Sequence, residues 1–152
     1  GNWQRKHLRA LELAYQSAPY FDKYYPQVAE IYRAKEWRYL AGFNRALFDW
    51  LLGCLGIRVP IITASEQGFE GTKSDLVLDM CLKVGATEYI FGSQGKDYAD
   101  VVAFEKAGVK AWFQDYQHPR YQQLFGEFVP NLSAIDLLFN CGPDSLPILK
   151  NG

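Results

Sequence analysis

The chain has little of what marks metal centres, disulfide scaffolds or membrane proteins. It contains three cysteines and two histidines in 152 residues, and Cys54, Cys81 and Cys141 stand far apart with no CxxC or Cys/His spacing. We therefore expect no metal site and no disulfide framework, but reduced and mostly buried thiols. No apolar run has the length of a membrane span and no basic-then-apolar leader opens the chain, so we expect no membrane span and a cytoplasmic location.

The charge balance excludes another class of protein. A net charge of -1 argues against an electrostatic nucleic-acid binder. A chain of this length can bury one core, so we predict a single α/β domain over residues 1–152. Aromatic residues make up 16% of the chain, more than a plain core requires, which indicates a surface that stacks or packs on a ligand or partner.

The hydrophobic pattern predicts the fold class. Apolar residues recur at helical spacing through residues 8–55 and stop at Gly56, a typical helix C-cap, and Pro26 is predicted to begin the second helix. Further along, β-branched and aromatic runs alternate with amphipathic segments, an order that builds a parallel sheet. We predict an α/β fold with a helical N-terminal region and a short, mostly parallel sheet flanked by helices. The predicted strands are 58–63, 88–91 and 109–113, and the predicted helices between them are 74–84 and 101–107.

Ligands on parallel sheets bind beyond the carboxyl ends of the strands, which directs attention to the loops there. The loop at 92–98 reads Gly-x-x-Gly-Lys-Asp-Tyr. Glycines let a backbone approach a ligand, Lys96 suits a phosphate or carboxylate, and Asp97 suits an amine or hydroxyl. The spacing is not that of a P-loop. A glycine turn with a solvated Lys96–Asp97 pair explains the same residues.

Two more segments carry similar alternatives. Lys73 and Ser74 open a predicted helix, where Ser74 or Thr72 could be an N-cap and need no other role. The basic group at residues 5–7 stands near the start of the first helix, where the helix dipole disfavours cations. It fits an anion, an acidic neighbour or a solvated basic face, and we favour the last.

The run 118–142 is the most informative part of the chain. It starts as an aromatic, polar loop with no regular period and changes into an amphipathic helix at 133–140. Large aromatics such as Tyr121 and Phe125 stand beside titratable groups such as His118 and Glu127, a mixture typical of a site wall. A loop packed on the fold by its aromatics, with the His118 imidazole on a nearby carbonyl, explains the run equally well. Cys141 follows the helix with no base nearby in sequence, so we interpret it as structural.

These segments together resemble the WbqC-like family, and the resemblance covers nearly the whole chain. The run FGEFVPNLS at 125–133 is its most specific part. Members of the family are bacterial and are encountered in gene clusters for O-antigen and related surface polysaccharides. The resemblance implies transfer of an aminoacyl group, such as glycyl, to the amine of an activated amino sugar. The segments that carry it are residues 3–8, 19–21, 73–75, 95–98 and 118–142.

One departure from the family concerns the start of the chain. Members begin with a further segment that has a Gln-Pro-x-Tyr-x-Pro-Trp type motif, which is absent here. We therefore expect the chain to be the C-terminal part of a longer protein, with an exposed sheet edge that the missing segment covers.

These observations combine into one functional hypothesis. The substrate expected is a nucleotide sugar, homo-oligomerisation is left open, and the sequence identifies neither a cofactor nor the acyl donor. The alternative is a non-catalytic interaction module of the same pathway. A third possibility is an ATP-dependent ligase, but the sequence contains no phosphate-binding fingerprint that supports it. The candidate residues are His118, Glu127 and Asp97 for acid–base catalysis, and Lys73, Ser74, Lys96, Tyr98, Tyr121 and Phe125 for substrate binding.

Overall fold

The computed structural model describes residues 2–152, which divide into two compact units. The first, here called the helical unit, comprises residues 2–59 and 118–152. The second, the sheet unit, comprises Pro60–Gln117. The expectation of a single domain stays a prediction. No helix within residues 2–152 is both long and apolar enough to cross a membrane.

The helical unit is built from amphipathic helices on an aromatic core. Its centre is formed by residues such as Tyr24, Tyr32, Phe43 and Phe139, each at most 4% exposed. Edge-to-face ring contacts join Tyr32 to Phe43 with centroids 4.8 Å apart, a geometry that adds to the hydrophobic gain. The helices are α1 (Asn2–Tyr15), α2 (Phe21–Arg33), α3 (Leu40–Leu55), α6 (Ala134–Cys141) and α7 (Ser145–Leu149).

The sheet unit contains α4 (Lys73–Val84), β1 (Glu88–Phe91), α5 (Val101–Lys106) and β2 (Lys110–Phe113). The two strands pair in parallel, with Glu88 opposite Lys110 and Phe91 opposite Phe113. Because side chains alternate along a strand, one face of the sheet packs on Cys81, Phe104 and Val109. The other face is open, with Ile90 68% and Trp112 44% exposed. The predicted fold class, a short parallel sheet flanked by helices with a helical N-terminal region, is confirmed.

Two local predictions were wrong. The segment 58–63 is not a strand. Its β-branched residues have no third strand to pair with among residues 2–152, Pro60 cannot donate to a ladder, and Ile62 stays 53% exposed. Pro26 does not begin α2, which starts five residues earlier at Phe21. The backbone N–H of Tyr20 donates to the Phe139 carbonyl at 3.0 Å and positions that start.

Candidate functional site

The loop after β1 places three candidate side chains at the carboxyl end of that strand. It forms a 3₁₀ turn, Ser93–Asp97, on which Lys96 and Asp97 are both exposed. Tyr98 is 47% exposed, and its ring meets the ring of Phe91 edge-on with centroids 6.0 Å apart. The aromatic ring is thus held by the core while the lysine and the carboxylate remain accessible.

The two glycines of this loop have different roles. A Cβ on Gly95 would lie 2.4 Å from the Cβ of Phe91, whereas a Cβ on Gly92 would meet nothing within 4 Å. Gly95 is buried. The second glycine of the motif is therefore required by packing against Phe91, and its presence does not need a ligand.

Replacing Gly95 with alanine is expected to lower the free energy of unfolding by about 1–3 kcal/mol, because the new methyl group overpacks the Phe91 side chain. Gly92→Ala is the matched control. Its backbone has φ -63°, which alanine adopts without strain, so it should change stability by less than about 0.5 kcal/mol. Urea denaturation of both variants decides the point, and equal stability of the two would contradict the packing role.

Ser74 has a structural partner beside this loop. It is buried, and its hydroxyl oxygen accepts the backbone N–H of Asp100 at 2.8 Å. The Asp100 carboxylate in turn accepts from the Ala103 N–H at 3.0 Å and caps α5. The residue in the N-cap position of α4 is Thr72, whose side chain makes no capping bond. Lys73 is exposed and has φ +52°, a left-handed conformation that is uncommon outside glycine.

In the helical unit, an aromatic group surrounds His118. The half-buried imidazole lies 6.0 Å from the Tyr121 ring and 5.8 Å from the Phe128 ring, measured between centroids. The guanidinium carbon of Arg120 stands 4.9 Å from the Phe128 centroid. The Nδ1 of His118 lies 3.0 Å from the Pro119 carbonyl oxygen.

A buried carboxylate, Asp136, organises the same region, and sequence reasoning missed it. Asp136 is 4% exposed and accepts from the Tyr121 hydroxyl at 2.7 Å, from Gln123 Nε2 at 3.2 Å and from Asn140 Nδ2 at 3.3 Å. The signal that could have found it is an Asp and an Asn four residues apart within an otherwise apolar helix. Such a group stays buried only when several donors satisfy it.

The tyrosines beside Asp136 are held in the neutral form. Burial, followed by the charge and hydrogen bond of Asp136, raises the pKa of Tyr15 to about 12. Burial and then the hydrogen bond to Asp136 raise the pKa of Tyr121 as well. Both phenols therefore remain donors at neutral pH, and the Tyr121 hydroxyl is committed to Asp136 while its ring packs beside His118.

Gln123 fixes the loop between these aromatics and α6. Its amide accepts the Val129 N–H at 2.9 Å and donates to the Val129 carbonyl at 2.9 Å. The loop is closed in this way, yet Glu127 is exposed and Phe125 is 68% exposed. A fixed backbone thus presents a carboxylate and an aromatic ring to solvent.

Cys141, at the end of α6, is a poor candidate nucleophile. Burial first, then the charges of Asp136 and Asp144, raise the pKa of its thiol. Thiolate is the nucleophilic form, so these neighbours suppress reactivity. The structure supports the interpretation of Cys141 as a structural residue.

The sequence-predicted residues divide between the two units. The structure brings His118 and Tyr121 together and places Phe125 and Glu127 on the same loop. It also joins Ser74 to the start of α5, two residues after Tyr98. The assignment of catalytic and binding roles to these residues stays a prediction. The helical unit holds His118, Tyr121, Phe125 and Glu127, and the sheet unit holds Lys73, Ser74, Lys96, Asp97 and Tyr98.

Comparison with known proteins identifies relatives over the whole chain. The model of the WbqC-like protein family matches residues 1–148. An uncharacterised protein of Mycobacterium tuberculosis is 31% identical over 150 residues, which is 98% of this chain and 65% of the relative. The chain thus spans about two thirds of the length of that relative. No solved structure matches the chain.

Proposed function

The chain belongs to the WbqC-like protein family, and we propose that it transfers an acyl group, such as glycyl, to the amine of a nucleotide-activated amino sugar. The reaction serves the assembly of O-antigen or a related bacterial surface polysaccharide and takes place in the cytoplasm. The observation that carries this proposal is the loop around Glu127. The backbone of this loop is fixed by Gln123 and Asp136, while the Glu127 side chain remains exposed on it. Catalytic groups are effective when their supports are rigid.

The chemistry requires one proton transfer at the amine and one at the leaving group. The amine nitrogen attacks the acyl carbonyl carbon, the C–N bond forms, and the bond from that carbon to the donor's sulfur or oxygen breaks. Glu127 accepts the proton that the amine loses, and His118 in its protonated form donates a proton to the departing group. The proton on Glu127 then passes through solvent and restores His118 for the next turnover. Asp97, in the sheet unit, is a candidate to orient an amine or hydroxyl of a ligand bound to that unit.

Binding is assigned to the remaining candidates. Lys96 and Lys73 attract the diphosphate of the nucleotide sugar as accessible point charges. Tyr98 and Phe125 offer exposed ring faces for a base or a sugar. The Tyr121 ring supports His118, and the Ser74 hydroxyl holds the neighbouring backbone in place.

A second candidate function is favoured by the apolar exposure of the same loop. Phe125, Val129 and Leu132 are 68%, 51% and 42% exposed. Three large apolar side chains within eight residues are typical of an interaction surface. In this alternative the protein is a non-catalytic module that holds a partner enzyme or a second copy of itself.

Substitution of Glu127 and Lys96 distinguishes the two functions. With the full-length protein, Glu127→Gln should lower the rate of acyl transfer about 100-fold or more, the usual contribution of a general base. Lys96→Ala should weaken nucleotide-sugar binding and make the remaining affinity less dependent on salt. Neither change should alter stability by more than about 0.5 kcal/mol, because both side chains are exposed. Mass spectrometry of the acylated sugar and calorimetry measure these effects.

Two exposed residues supply the controls. Glu30→Gln on α2 and Lys106→Ala on α5 make similar charge changes at exposed positions that are not candidate residues. They should leave transfer and binding unchanged. If the Glu127 and Lys96 variants behave like these controls while Phe125→Ala abolishes partner binding, the interaction module is the correct function.

A further inference from the structure

The helical unit contains a cavity that none of the residues assigned to acyl transfer lines. It has a volume of about 460 Å³ and lies between α1 and α2 with the segment that follows α2. One face of α1 forms its first wall, because the α1 residues that line it are one, three or four positions apart and so lie on the same side of the helix. We call it the basic cavity. It is lined by Gln4, Arg5, Leu8, Arg9, Glu12, Tyr25, Tyr32, Arg33, Lys35 and Glu36.

Two sets of hydrogen bonds hold the walls of the basic cavity. Gln4 is 9% exposed, and its Nε2 donates to the carbonyl oxygens of Tyr32 at 2.6 Å and Lys35 at 2.9 Å. The Tyr32 hydroxyl lies 2.7 Å from His7 Nδ1. These bonds fix the end of α2 against α1, so Arg33 and Lys35 project from a backbone that is already in place.

The basic cavity carries an excess of positive charge. Four cations and two carboxylates line it, which gives 4 - 2 = +2. Glu12 accepts from Arg9 at 2.7 Å, so that pair is compensated internally. Arg5 donates to the neutral side-chain oxygen of Asn2 at 3.0 Å, which leaves its charge uncompensated by that bond. The cations that produce the excess are therefore Arg5, Arg33 and Lys35, set against Glu36.

Tyr25 gives the basic cavity an aromatic wall. Its ring stacks on Phe21, with centroids 4.4 Å apart and an angle of 19° between planes. Burial, and then the charge of Glu12, raise the pKa of Tyr25, with opposing contributions from Arg33 and Arg9. A hydrogen bond to Glu12 also raises this pKa, so the phenol is neutral and its proton is directed to that carboxylate.

We propose that the basic cavity binds a small organic phosphate, with Arg5, Arg33 and Lys35 around the phosphate and Tyr25 beside the organic part. A phosphate monoester carries about -2 charges at pH 7, which matches the excess of the lining. Arginine presents a planar fork of donors suited to phosphate oxygens. The volume falls in the range of about 300–1,000 Å³ typical of small-molecule sites, so it holds more than a bare phosphate. An anion there also offsets the unfavourable position of cations near the start of α1.

The test is calorimetry on the full-length protein with defined probes. These are inorganic phosphate, a nucleoside diphosphate (UDP) and a sugar phosphate (glucose 1-phosphate), with uridine and glucose as uncharged counterparts. At least one of the two organic phosphates should bind more tightly than inorganic phosphate, and the uncharged compounds should not bind. Comparison of UDP with glucose 1-phosphate identifies the organic part. Added salt should weaken binding, since screening acts on exposed charges.

Matched variants locate the site. Arg33→Gln and Lys35→Gln should each weaken binding by about tenfold or more, because each removes a charge-assisted hydrogen bond. Arg38→Gln makes the same charge change at an exposed position outside the lining and should have little effect. Melting curves should show that all three variants remain folded.

Three results would overturn the proposal. The first is that no phosphate probe binds. The second is that Arg38→Gln weakens binding as much as Arg33→Gln does. The third is that Lys96→Ala weakens binding while the Arg33 and Lys35 variants bind normally. The third result would still support the role proposed for Lys96 in nucleotide-sugar binding. Conversely, binding that depends on Arg33 but not on Lys96 supports the basic cavity and contradicts the role proposed for Lys96.

Discussion

Replacement of Gly142 with alanine is expected to lower the free energy of unfolding by about 2–6 kcal/mol. Gly142 has φ +54° and ψ -121°, a conformation that costs an L-residue about 1–3 kcal/mol. It is also buried, and a Cβ there would lie 2.5 Å from two ring carbons of Tyr20. Overpacking of this kind adds about 1–3 kcal/mol. The sum is a large fraction of the total stability of an ordinary domain.

A second glycine of the helical unit serves as the control for this substitution. Gly53 lies within α3, is exposed, and has open space where a Cβ would stand. Gly53→Ala should therefore raise stability by about 0.5–1 kcal/mol through helix propensity. Urea denaturation followed by circular dichroism measures the free energy of unfolding of both variants. An unchanged m-value would show that the difference in midpoint reports stability. A Gly142→Ala variant as stable as the parent would contradict this prediction. It would show that the Tyr20 ring moves aside for the new methyl group with no loss of stability.

Local patterns predicted most of the fold because the deciding interactions were local. Gly56 ends α3 in a left-handed conformation with φ +69°, as its position after an apolar period indicated. Gly85 ends α4 in the same way, with φ +71°. Ser133 and Asp100 cap α6 and α5 with their side chains. The strand prediction for 58–63 was wrong because β-branched residues favour a strand only where a neighbouring strand is present to pair with them.

The candidate site was less accessible from sequence, because its geometry depends on contacts between distant residues. The exposure of Lys96, Asp97 and Glu127 follows from their loops and was foreseeable. That Gly95 faces Phe91 could not be deduced from a glycine spacing. The basic cavity could not be predicted either, because it forms where α1 packs against the end of α2. The bond that joins them links Gln4 and Tyr32, which are 28 residues apart in sequence.

Asp136 shows why the aromatic run 118–142 was so informative. Its carboxylate gathers donors from the loop, through Tyr121 and Gln123, and from α6, through Asn140. The loop can therefore expose Glu127 without losing its conformation. The polar residues that looked like site components fall into two sets, those that hold the loop and those that the loop presents.

Replacement of Asp136 with alanine is accordingly expected to lower the free energy of unfolding by about 3–5 kcal/mol. The change leaves several donors without their acceptor, and each buried unsatisfied group costs about 1–3 kcal/mol. Asp136→Asn keeps one acceptor oxygen and should cost less. Asp144→Ala, an exposed carboxylate next to α7, is the control and should stay within about 0.5 kcal/mol.

Hydrogen exchange on Asp136→Asn separates loss of the loop from loss of the whole fold. The Val129 amide, which Gln123 holds at 2.9 Å, should exchange faster in this variant, while amides within α2 should keep their protection because α2 packs on the aromatic core. If Asp136→Ala were as stable as Asp144→Ala, with Val129 still protected, the carboxylate would not be the anchor of the loop. The rigid presentation of Glu127 that supports acyl transfer would then need another source.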